Sequence, residues 1–179
     1  MIRAFLALPL PEATRGELAT LQRRLGLLRP VAPESLHLTL VFMGSQPEPV
    51  LEEAHEALEA LGGRAFTLGL RGVGLFGRAA PRAVYAGVAA CPALEALQAR
   101  AAQAVRRAGI MLPRRRFVPH VTLARFAAGA GPDPAGLEAL AGAALWQAVP
   151  FEAREMVLYA SHLRPSGAVY EPLASYPLG

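Results

Sequence analysis

Apolar and polar positions along the chain follow two different periods. Residues 2–8, 35–43, 66–75, 82–89, 117–126, 150–160 and 168–175 carry apolar side chains in short runs or at every second position, which predicts strands. Residues 12–28, 48–61, 92–109 and 134–146 repeat at helical spacing, as Leu18, Leu21, Leu25 and Leu28 do. Pro30 to Pro33, Gly62-Gly63, Pro113 and Gly129 to Pro134 mark loops between them. The order is strand–helix–strand–helix–strand, run through twice and closed by a last strand. Only the short Gly77 to Pro81 stretch separates the halves. The pattern therefore predicts one domain, 1–179, made of two similar lobes at about 1–76 and 82–176. Such an internal duplication would set one equivalent group on each side of a shared cleft.

Composition fits this picture. A chain of 179 residues has the length of one ordinary domain, and its 53% hydrophobic content is enough to bury a core. Mean hydropathy is +0.30, yet Arg, Glu, Pro or Gly interrupts every apolar run. No stretch approaches the roughly 20 apolar residues of a spanning helix. The opening MIRAFLALPLPEATRGEL resembles a leader, but it lacks a small-residue cleavage site and its apolar run ends at Pro9 and Pro11. It reads as a first strand, and a cytoplasmic location is expected. Cys91 is the only cysteine, so no internal disulfide can form, and its small neighbours give it the character of an inert residue near a helix start.

Charge adds a partner class. All 18 basic residues are Arg. Residues 48–59 carry five Glu and no Arg, whereas residues 100–125 carry seven Arg and no acid. A net charge of +4 with so basic a segment suits an anionic partner, and a solvated Arg-rich surface accounts for the charge equally well.

The candidate chemistry lies in the central strand of each half. Ser35-Leu36-His37-Leu38-Thr39-Leu40 and Pro119-His120-Val121-Thr122-Leu123 share the pattern His–apolar–Thr–apolar, their histidines 83 positions apart. Side chains at i and i+2 of a strand share a face, about 6.5 Å apart. Each motif thus presents an imidazole beside a hydroxyl, with Leu36, Leu38, Leu40, Val121 and Leu123 turned toward a core. One His-x-Thr means little, because a lone strand histidine is usually a structural hydrogen-bonder. Two at equivalent points of a duplicated plan suit displacement at phosphorus, with a base on the attacking oxygen and an acid on the leaving one. The threonine hydroxyls can donate to non-bridging oxygens, and no metal is required.

With these motifs, the chain resembles the bacterial RNA 2′,3′-cyclic phosphodiesterases, once called 2′-5′ RNA ligases, of the 2H phosphoesterase superfamily. The flanks agree: Arg3-Ala4-Phe5-Leu6-Ala7-Leu8-Pro9, Leu40-Val41-Phe42-Met43-Gly44, Phe117-Val118-Pro119, Leu158-Tyr159-Ala160-Ser161 and Tyr170-Glu171-Pro172-Leu173. The resemblance implies an α+β fold in which two pseudo-symmetric, mostly antiparallel sheets face each other across a central cleft, with helices outside. It implies hydrolysis of RNA 2′,3′-cyclic phosphate ends to 2′-phosphomonoesters, with 2′-5′ ligation as the related reaction. It implies His37 as proton donor and His120 as acceptor, Thr39 and Thr122 on the phosphate oxygens, and Arg125 as phosphate ligand. No cofactor or metal, no membrane and a monomeric enzyme acting on an RNA end complete the expectation. The near-symmetric motifs do not by themselves say which histidine is acid and which is base.

Arg125 stands five residues after His120, and in a straight strand that side chain faces away. It reaches the site only if the strand ends, twists or bulges; otherwise it is a solvated charge. Its counterpart after the first motif, Phe42, is read as core rather than as a base-stacking residue. Gly72-Val73-Gly74-Leu75-Phe76-Gly77 matches G-x-G-x-x-G, but a strand follows instead of a helix, so the glycines are read as bends or bulges and a nicotinamide cofactor is rejected. His55, among Glu52, Glu53, Glu56 and Glu59, is read as part of a solvated helix face. Arg114-Arg115-Arg116 either tracks an RNA backbone or is a charged loop. Two competing readings remain: an RNA-binding module without catalysis, and a zinc-dependent phosphohydrolase with His162 as third ligand.

Overall fold

The helix-period segment after Pro11 forms α1 (Glu12–Arg24) and stops well before Leu28. Gly26, at φ +62°, turns the chain out of the helix, with its N–H donating to the Arg23 carbonyl and the Leu27 N–H to that of Gln22. This glycine cap is a strong helix terminator. It corrects the expected continuation to residue 28, and Leu28 is 97% exposed. A computed structural model describes residues 1–77, 80–127, 129–164 and 167–179; part of the Gly77 to Pro81 connection lies outside them.

After β1 (Ile2–Pro9) and α1 come β2 (His37–Gln46), α2 (Glu48–Glu59), β3 (Phe66–Leu68), β4 (Leu70–Phe76), β5 (Ala83–Val88), α3 (Pro92–Arg107), β6 (His120–Arg125), α4 (Pro134–Gly142), β7 (Phe151–Ala153), β8 (Glu155–Arg164) and β9 (Gly167–Pro177). Two segments expected as single strands are broken, 66–75 at Gly69 and 150–160 at Arg154. Their first pieces, β3 and β7, leave the main sheet to pair with each other.

Seven strands form one antiparallel sheet in the order β4-β5-β6-β2-β1-β8-β9. Its two halves, β4-β5-β6 and β2-β1-β8-β9, are joined among the described residues at a single residue pair, Leu38 with Val121. The α+β class with two mostly antiparallel half-sheets agrees with expectation. The lobes are interleaved in sequence, however, rather than divided near residue 80. β4 pairs with β5, and β8 and β9 complete the half-sheet begun by β1 and β2. A short loop favours pairing of β4 with its immediate neighbour, and β1 has a free edge that only β8 fills.

One face of the sheet is apolar and covered. Leu6, Leu8, Leu38, Leu40, Val121 and Leu123 pack with Leu18 and Leu21 of α1, Leu51 and Leu58 of α2, and Leu94, Leu97 and Val105 of α3 in one core. The opposite face is left to the polar and aromatic residues of the same strands.

Candidate active site

Strand alternation divides the two motifs as the sequence predicts. Leu38 and Val121 are fully buried, whereas His37, Thr39, His120 and Thr122 are partly buried on the open face. The antiparallel register at the Leu38–Val121 pair puts His37 on the Thr122 side and Thr39 on the His120 side. The two imidazoles are then diagonal neighbours across the joint. The hydroxyls occupy the other diagonal.

Each ring is held by the carbonyl two residues upstream. His37 Nδ1–H donates to the Ser35 carbonyl at 2.7 Å, and His120 Nδ1–H to the Val118 carbonyl at 2.7 Å. A carbonyl only accepts, so in both rings the proton of the neutral form sits on Nδ1 and the free lone pair on Nε2. His37 Nε2 lies 3.1 Å from Thr39 Oγ1. His120 Nε2 has no such partner among the described residues.

Identical irregularities follow the two motifs. In β6, Tyr85 pairs with Thr122 but Val84 pairs with Ala124, so the strand carries one extra residue there. In β2, Ala7 pairs with Thr39 but Leu6 pairs with Val41. Each bulge reverses the alternation. Leu123 and Ala124 are both buried, as are Leu40 and Val41, and the next residue returns to the open face. Arg125 therefore shares the face of the histidines, which meets the condition set by the sequence. Phe42 does too, and its 46% exposure corrects the expectation of a core residue. The Arg3 guanidinium stacks on the Phe42 ring, 4.7 Å from its centroid.

The β6 bulge is fixed by a residue that the sequence reading passed over. Gln22, buried on the inner face of α1, donates from Nε2 to the carbonyls of Leu123 and Val31, each at 2.8 Å. The Val31 N–H adds a 2.8 Å bond to the same Leu123 carbonyl. A glutamine interrupting the Leu18, Leu21, Leu25 stripe was the available signal.

Burial pushes the pKa of His37 below its ordinary 6.5; the Ser35 carbonyl opposes this, and the charges of Arg125 and His120 reinforce it. Burial likewise lowers His120, the Val118 carbonyl opposes it, and Arg125 lowers it further. One guanidinium thus acts on both imidazoles. Aromatic rings wall the site. Phe5 and Tyr170 contact His37 with centroids at 4.8 and 5.1 Å, while Phe76 and Tyr85 contact His120 at 4.7 and 5.6 Å. Beside His37, a cavity of about 380 Å³ opens between Arg15, Glu34, Tyr159 and Tyr170.

The other candidates stand elsewhere. His162 does not join the pair; its Nε2 is 2.9 Å from Glu171 Oε2 on the exposed β8–β9 ribbon. Among the described residues no three His, Cys, Asp or Glu side chains gather as metal ligands. His55 is not simply solvated, because Nδ1 meets the Tyr176 hydroxyl at 2.9 Å. Cys91 precedes α3, with Sγ 3.8 Å from the Thr67 carbonyl. Arg114, Arg115 and Arg116 are exposed in the loop leading to His120. Among the described residues no helix is long and apolar enough to cross a membrane.

Two inverted imidazole–hydroxyl pairs on one antiparallel sheet, with an arginine returned to them by a bulge, define a phosphoesterase fold of the two-histidine kind. Residues 10–164 match the 2′-5′ RNA ligase superfamily, and the chain belongs to it. It is 35% identical to the RNA 2′,3′-cyclic phosphodiesterase of Thermus thermophilus, over 99% of this chain and 90% of that one. It is 36% identical to that of Geobacillus stearothermophilus over 83% of this chain, which spans only 47% of that relative's length. Among solved structures it is similar to the Thermus thermophilus protein TT0787, with a TM-score of 0.82, 29% identity and 99% and 98% of the two chains covered. It is also similar to E. coli LigT complexed with 3′-AMP, with a TM-score of 0.81, 27% identity and the same coverage.

Proposed function

We propose that this chain hydrolyses the 2′,3′-cyclic phosphate at an RNA 3′ end to a 2′-phosphomonoester by acid–base catalysis between His37 and His120. The observation that carries the reading is the diagonal placement of His37 and His120 on one open face, each ring held through Nδ1 and both acted on by the charge of Arg125. His120 Nε2, whose lone pair has no partner among the described residues, takes a proton from water. The water oxygen bonds to phosphorus, the P–O3′ bond breaks, and His37 gives the proton on its Nε2 to O3′. The phosphate stays on O2′. Thr39 and Thr122 donate to the non-bridging oxygens, and Arg125 balances their charge. With a ribose 5′-hydroxyl in place of water, the same displacement makes a 2′-5′ linkage. The names of the relatives and the exposed Arg114 to Arg116 loop beside His120 support an RNA end as substrate.

Incubation with a 2′,3′-cyclic nucleotide in EDTA, followed by phosphorus NMR, tests this. Turnover equal with and without chelator, yielding the 2′-phosphate, is expected. Salt-sensitive RNA binding with no turnover, or activity abolished by EDTA, would replace the proposal with one of its two rivals.

The electrostatics give a second expected result. Productive free enzyme needs His37 protonated and His120 neutral. Because both pKa values are lowered, the alkaline limb of kcat/KM falls below pH 6.5. Arg125→Gln should raise KM for the cyclic nucleotide about ten- to a hundredfold, the range for losing a charge-assisted hydrogen bond. It should also move the limb upward but short of 6.5, since burial, the larger cause, remains. A limb that moves down on this substitution would mean that the guanidinium does not face the pair.

A further inference from the structure

Gly74, in the middle of the glycine-rich stretch, is neither a bend nor a bulge. Gly72 is, with φ +73° where the β4–β5 register slips, and Gly77 turns the chain at φ +84°. Gly74 has ordinary strand geometry and pairs directly with Tyr85. What it lacks is a side chain, and that space is used. A Cβ at Gly74 would lie 2.5 Å from both Cζ and the hydroxyl oxygen of Tyr85. The Tyr85 ring therefore lies across Gly74. There it stacks on Phe76 with centroids 4.3 Å apart, and the two rings together flank His120. Ala83, the partner of Phe76, and Gly87, the partner of His120, keep the neighbouring positions small.

We infer that Gly74, Phe76 and Tyr85 form a positioning device for His120, in which the missing side chain at Gly74 lets the Tyr85 ring clamp the imidazole with its Nε2 toward the cleft. The inference rests on the proposed role of His120 as base and names what holds that base in place. The Val118 carbonyl fixes only one edge of the ring. Rings packed nearly edge-on at 76° and 68° obstruct rotation about the Cβ–Cγ bond that would carry Nδ1 away from that carbonyl. They also keep water from one flank of the imidazole. The charge that bears on His120 is that of Arg125 on its own strand, and His120 in turn bears on His37 across on β2. Among the described residues it meets, from the β4–β5 side, uncharged Phe76 and the phenol of Tyr85. The contact is made by rings, so the Tyr85 hydroxyl is dispensable.

Gly74→Ala tests this with the smallest change, because the backbone there accepts alanine and the clash is with the far end of a side chain. Tyr85→Leu removes the ring and Tyr85→Phe preserves it. Each variant is assayed for kcat and KM on a 2′,3′-cyclic nucleotide, for thermal midpoint, and for the NMR titration of the His120 ring. For Gly74→Ala and Tyr85→Leu, kcat should fall about tenfold or more with KM little changed, the effect of a slightly misplaced catalytic group. The His120 midpoint should rise toward 6.5 as water reaches the ring, and Tyr85→Phe should match wild type. An unchanged His120 titration and kcat in Gly74→Ala and Tyr85→Leu, with only the thermal midpoint lowered, would reduce the cluster to packing and overturn the inference. If the wild type shows no turnover, the functional reading fails by itself, and the His120 titration still decides the clamp.

Discussion

His120→Ala and His37→Ala are each expected to lower kcat on a 2′,3′-cyclic nucleotide about a thousandfold, within the usual range for loss of a general acid or base. The double substitution should be scarcely worse than either single one, because acid and base act in one concerted displacement. Both side chains sit on the open face and outside the helix-side core, so circular dichroism and thermal midpoint should stay near wild type. A p-nitrophenyl phosphodiester separates the two roles. Its leaving group departs without a proton, so His37→Ala should recover much of its activity on that substrate while His120→Ala should not. Recovery in His120→Ala instead would exchange the two assignments, and full activity in both variants would remove the site from this face altogether.

Leu38→Ala should have the largest effect on stability, about 2–5 kcal/mol in denaturant unfolding. Leu38 is fully buried, lies between His37 and Thr39, and makes the only pair that joins the two half-sheets among the described residues. The truncation leaves a void at the joint, where β2 and β6 share no second described pair. Activity should fall as well, because the diagonal of the imidazoles is set by that pair. Leu28→Ala provides the contrast. Its side chain is 97% exposed, and the change should stay within about 0.5 kcal/mol. Equal destabilisation by the two substitutions would mean that the joint does not carry the fold.

How much of the site could be read in advance depends on the range of the forces that build each part. The His37–Thr39 and His120–Thr122 pairs were legible because a strand has a period of two, and period is a local property. The positions of Arg125 and Phe42 were not, since one extra residue in a strand reverses every side chain beyond it. The β6 bulge is held by Gln22 and Val31, roughly a hundred positions earlier in the chain. The same limit explains Gly74. A glycine's conformational freedom is a local matter, but the ring that fills its empty space comes from the partner strand.

The amino-acid order alone determined the two motifs, the strand and helix periods that give them a polar face and an apolar one, and the likeness to a family that these motifs carry. Only the tertiary structure decided that the lobes interleave, that a single pair joins them, that the bulges return Arg125 and Phe42 to the open face, and that Tyr85 leans over Gly74. The physical reason is that side-chain alternation is written into each strand's own backbone, whereas register, bulging and ring packing are settled by hydrogen bonds and contacts between segments far apart in sequence.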